Sequence, residues 1–109
     1  MTARKISRKT LKSVLKPRYD TSQHTLYVGE IVVKRVKQPS DAQVVVCMEF
    51  ERLGWPRMIV NPLQASATSS RKHRQQNVVD NLNDNQQTKL IHFYSDGFGN
   101  IGWELIPQK

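Results

Sequence analysis

Positive charge is concentrated at one end of this chain, and that limits which residues can build a core. Residues 1–18 hold Arg4, Lys5, Arg8, Lys9, Lys12, Lys16 and Arg18, with no Asp or Glu. The other ten of the seventeen Lys and Arg face nine Asp and Glu over residues 19–109. Like charges this dense repel one another and stay hydrated. The stretch therefore reads as a disordered basic arm, 1–18, ahead of one folded domain, 19–109, with Pro17 near the junction. Such an arm neutralises phosphates, and Arg4, Lys5, Arg8 and Lys9 are its candidate contacts. Two blander readings stay open. One is an inert solubilising tail. The other is an organelle-targeting segment, since the stretch is acid-free and rich in Ser and Thr; its apolar residues Ile6, Leu11, Val14 and Leu15 make a weak helical stripe, which ranks targeting below binding.

A chain of 109 residues has room for one domain with one modest core. Apolar residues make up 38% of it, so that core must be small and its edges polar. Cys47 is the single cysteine, which excludes an intramolecular disulfide framework. Without a secretory apolar region or a run long enough to span a bilayer, the expected location is cytoplasmic, with no membrane partner.

From Tyr19 to Val36 the pattern suits a β-hairpin or a pair of short strands around Gly29-Glu30, preceded by a turn at Asp20-Thr21-Ser22-Gln23. A helix follows, with both ends marked. Ser40 and Gln43 form a capping box, and Leu53-Gly54-Trp55-Pro56 forms a stop. Ala42, Val45, Val46, Phe50 and Leu53 are its expected core face. Asn61-Pro62-Leu63 has the form of a second, short helix start. A third helix is expected over 71–85, capped by Ser69 or Ser70, with Val78, Val79 and Leu82 inward. A terminal hairpin closes the chain: Leu90–Tyr94, a Ser95–Asn100 loop and Ile101–Ile106. Trp55 and Trp103 read as core.

That order of elements resembles a winged helix, specifically the effector domains of OmpR/PhoB-type response regulators. The resemblance implies an α+β fold with a small N-terminal antiparallel sheet, three helices and a C-terminal β-hairpin wing. The recognition helix would be 71–85 and the wing Leu90–Ile106. The chain departs from that pattern in having no receiver domain before the effector-like part, a short or displaced second helix, and an Asn83-Asp84-Asn85 end where the effector domains become basic. It is also similar to a group of small uncharacterised bacterial proteins, through Phe50-Glu51-Arg52-Leu53-Gly54-Trp55-Pro56, Asp96-Gly97-Phe98-Gly99 and Trp103-Glu104.

On the third helix, Arg71, Arg74, Asn77 and Asn81 recur at three- and four-residue spacing. Arg pairs with guanine edges and Asn with adenine, while Arg71 and Lys72 near the helix start suit phosphate. In the wing, Lys89, His92, Tyr94 and Asn100 are candidates for the nucleic-acid backbone or minor groove, and Phe98 stands out as an aromatic at a loop tip. His24, His73, His92 and Cys47 lack metal-ligand spacing, and the glycine-rich loop leads into a strand rather than a helix. The sequence therefore points to a binding protein and not an enzyme, with no cofactor and no small-molecule substrate. Its expected partner is nucleic acid, DNA in preference to RNA, in a role such as transcriptional regulation. A protein-docking adaptor of the same fold is the alternative.

Overall fold

Turn chemistry places the first three strands. A computed structural model describes residues 16–37, 42–64 and 70–107. In it β1 (Pro17–Asp20), β2 (Thr25–Val28) and β3 (Ile31–Arg35) form an antiparallel sheet in that order. Between β1 and β2 the Asp20 carboxylate accepts from Ser22 N, Ser22 Oγ and Gln23 N, at 2.9, 2.7 and 3.1 Å. Between β2 and β3 the loop is Gly29-Glu30, and Gly29 takes φ +61°, which a two-residue hairpin requires of a central residue. The expected hairpin is therefore present and gains β1. Arg18, counted with the basic arm by charge, lies in β1 with its guanidinium 4.0 Å from the centre of the Tyr27 ring.

Helix α1 (Ala42–Arg52) ends where its local sequence stops it; Ser40 of the expected capping box lies outside the described residues. Gly54 takes φ +80°, its N–H bonds Glu51 O, and Trp55 N–H bonds Phe50 O at 2.8 Å. This pair of bonds closes a Schellman motif. Its apolar contact is the stack of Trp55 on Phe50, with centroids 4.8 Å apart. Trp55 also meets Trp103 edge-on at 6.2 Å, so both indoles are core. The buried face of α1 is Val44, Val46, Cys47 and Phe50. Val45 and Leu53, expected inside, are 41% and 46% exposed. Three consecutive valines cannot all point inward at 100° per residue, and packing against the sheet and α2 selects the outer two.

The second sheet has the order β4-β6-β5, all antiparallel, from β4 (Met58–Val60), β5 (Ile91–Ser95) and β6 (Asn100–Leu105). The short helix expected at Asn61-Pro62-Leu63 is not formed. Asn61 N–H instead extends the β4–β6 ladder to Gly99 O at 2.9 Å, and Asn61 Oδ1 accepts from Leu63 N at 3.0 Å. A helix N-cap makes the same Asx contact, so it is the ladder bond to Gly99 that distinguishes this strand exit from a helix start. Helix α2 (Arg71–Asn83) is capped by Ser70, whose Oγ accepts from His73 N at 3.1 Å. It buries Gln75, Val78, Val79 and Leu82 and ends two residues earlier than expected, with Asn85 at φ +57°. Among the described residues the architecture is thus α+β, with two helices and two three-stranded sheets. The three-helix set is not found among them, and no helix of theirs is long and apolar enough to cross a membrane.

One buried cation ties these parts together. Lys34 on β3 is 7% exposed, and its Nζ donates to Gln43 Oε1 (2.7 Å), Asn81 O (2.7 Å) and Asp84 O (2.9 Å). Next to it, Val33 O accepts from Gln87 N and Thr88 N. Lys34→Met keeps most of the stem volume and removes the donors, leaving two carbonyls and an amide oxygen without them. It is expected to cost about 2–4 kcal/mol. Urea unfolding should show this as a lower midpoint at unchanged slope.

Candidate nucleic-acid interface

A carboxamide carries one acceptor and two donors and can therefore substitute for a peptide group. Helix α2 and the turn after it direct three amides at the C-terminal hairpin, and Asn83 makes both kinds of bond. Asn83 donates to Phe93 O at 2.9 Å and accepts from Phe93 N at 2.8 Å, pairing with β5 as another strand would. Gln75 Nε2 donates to Ser95 Oγ (2.6 Å) and Asn100 O (3.0 Å). Gln86 Nε2 donates to Leu82 O (3.0 Å) and Ile91 O (2.9 Å). Asn83 and Gln86 thereby cover the outer edge of β5, which would otherwise be open to pairing.

The candidate residues divide accordingly. Arg71 Nε donates to Leu63 O at 2.9 Å and its Nη2 to Asn61 O, while Arg74 Nη1 donates to Gln64 O. Both arginines thus anchor the strand exit at 61–64, with part of each guanidinium left for other contacts. Lys72, Asn77 and Asn81 are exposed along α2. Lys89 is exposed where β5 begins, roughly 20 Å of extended chain from the β5–β6 loop at ~3.3 Å per residue. The Tyr94 ring lies across Gly102, where a Cβ would come within 2.6 Å of it, so the phenol belongs to the sheet surface and not to the loop. Asn100 is held inside the loop by Asp96. Arg4, Lys5, Arg8 and Lys9 lie outside the described residues.

What the fold brings together is the first turn of α2 and the tip of the β5–β6 loop. They face each other across a groove of about 660 Å³, lined on the helix side by Ser70, Arg71, Lys72, His73, Gln75 and Gln76 and on the loop side by Ser95, Gly97, Phe98 and Gly99. No carboxylate is among these residues. The charge layout on α2 is the reverse of what its dipole favours: three cations stand at 71, 72 and 74, no acid lies in the first turn, and Asp80 and Asp84 lie toward the other end. A helix start that gathers cations against its own dipole is suited to an anionic partner.

The loop is built before any partner arrives. Gly97 and Gly99 take φ +82° and +87°, and Asp96 clasps the turn, its Oδ1 accepting from Phe98 N (2.7 Å) and Asn100 N (3.2 Å) and its Oδ2 from Asn100 Nδ2 (2.8 Å). The side-chain bond from Asn100, then the amide of Phe98, hold the Asp96 carboxyl below its ordinary range. Phe98 at the tip is 87% exposed, so it does not fold under the hairpin. Sequence reasoning noted it without assigning it to the site. No protein-family model, no curated protein and no solved structure matches this chain.

Because the Asp96 pKa is depressed on folding, the clasp is complete above the ordinary aspartate range of about 3.9 and is lost as pH falls through the lower folded value. The amide proton shifts of Phe98 and Asn100 should therefore be flat from pH 7 to about 5 and move together only in stronger acid. In Asp96→Ala they should sit at loop-like values throughout, as NMR titration would show.

Proposed function

We propose that this chain is a nucleic-acid-binding protein of winged-helix type. It holds duplex DNA with α2, the β5–β6 wing and the basic arm, in a role such as transcriptional regulation. The observation that carries this reading is the acid-free groove shared by the cationic start of α2 and the wing loop. The element order supports it too. A helix, a strand, a second helix and a hairpin, with the lone strand beside the returning one in the order β4-β6-β5, is compatible with part of a winged helix, whose third helix is not among the described elements.

In this reading Lys72, with the N-terminal turn of α2 and the remaining guanidinium donors of Arg71 and Arg74, takes phosphate. Asn77 and then Asn81 reach base edges. Asp80 and Asp84 repel phosphate and confine the phosphate contacts to the first half of the helix. The arm adds affinity without sequence preference.

The test is fluorescence anisotropy with labelled duplex DNA over a salt series, with the matching RNA duplex alongside. Deleting residues 2–15, which leaves β1 intact, should flatten the log–log salt slope by roughly 3.6 if about four arm cations meet phosphates. Lys72→Ala should weaken binding and reduce the slope by about 0.9, the share of one phosphate. A wild-type chain without affinity at low salt overturns the proposal.

One observation favours a protein-docking role instead. Val60 is 67% exposed beside Met58 on β4, an edge strand with no described strand on its open side. A specific protein recovered after nuclease treatment, and lost on Val60→Glu, would support that role.

A further inference from the structure

An aromatic ring at a loop tip is a hydrophobic surface kept in water, and glycine neighbours give it no apolar company. Phe98 is in that position, 87% exposed between Gly97 and Gly99. The space beside those glycines is open, with no atom beyond their chain neighbours within 4 Å of where either Cβ would stand. The tip therefore stands clear of the body. The ring is nonetheless not loose, since the clasp of Asp96 on Phe98 N and Asn100 fixes the loop backbone that carries it.

We infer that Phe98 is a stacking residue, whose ring takes the face of a nucleobase that has left the helical stack. This rests on the nucleic-acid reading above and names what the wing tip does within it. The chemistry of the groove selects the ligand class. One side offers a single π-face on a preformed loop, and the other offers Arg71 and Lys72 with no carboxylate among the lining residues. A nucleotide carries both complements, a flat base and a phosphate, on one short unit. One isolated ring is too small an apolar area to anchor a folded protein, whereas base–aromatic stacking needs only one. The base can come from a single strand or bulge, or from a duplex step that the ring itself opens.

The full chain is titrated by anisotropy against three labelled DNAs: a paired duplex, the same duplex with a one-nucleotide bulge, and the single strand. Phe98→Ala and Phe98→Leu should both lose about fivefold to hundredfold in affinity, and Phe98→Trp should retain it. The salt slope should not change, because no phosphate contact is removed. The thermal midpoint should stay at the wild-type value, because the ring is exposed. Loss on the single strand and bulge but not on the paired duplex supports the inference with an unpaired base as the source. Loss on all three supports it with an opened step. If both variants bind all three DNAs as wild type does, or if Leu preserves affinity as well as Trp, stacking is overturned while the nucleic-acid reading stands. Wild type binding none of them overturns both.

Discussion

Lys34 holds the C-terminal turn of α2 from a neighbouring sheet, and the placement of that helix depends on it. A buried ammonium is tolerated only when its donors are satisfied, and Nζ meets Gln43 Oε1, Asn81 O and Asp84 O. The partial negative charge at the end of α2 has no cation from the helix's own last turn, so Lys34 supplies it from β3. Through Gln43 the same contact reaches α1. With one end of α2 pinned among two elements, its other end, with Arg71 and Lys72, is directed to the β5–β6 loop.

The β5–β6 hairpin is then tied to the same helix by amides. Gln75 bonds the loop ends at Ser95 and Asn100, and Asn83 pairs with Phe93 two turns away. Helix and hairpin are thereby held in one frame, and the groove between them does not depend on either element being positioned by a ligand. A division of labour follows along α2. Its inward amides keep the fold together, whereas its first turn and outward residues are left to meet a partner.

Much of the local structure was legible in the residues because its causes are local. Gly54-Trp55-Pro56 stops α1 through a backbone conformation and a stack reaching back five residues. Ser70 caps α2, Asp20 and Asp96 make turns within four residues, and Val78, Val79 and Leu82 face inward as their spacing requires. The failures have long-range causes. The phase of α1 was ambiguous because Val44, Val45 and Val46 are equally apolar, and only the neighbouring elements distinguish them. β4 is three residues long and pairs with residues about forty positions away, so no local pattern separates it from a connector. The structural amides Gln75, Asn83 and Gln86 carried no local mark either, since their partners lie on the C-terminal hairpin.

The chain by itself determined a cationic N-terminal sequence ahead of a nearly neutral remainder, the stop of α1 and the cap of α2, the terminal hairpin and an aromatic at its tip, because charge, turn chemistry and short-range periodicity act within a few residues. Which polar side chains are structural and which remain available was decided by tertiary contacts alone. An amide or guanidinium has no assigned partner until the fold brings a carbonyl within about 3 Å, and those carbonyls come from segments ten to fifty residues away.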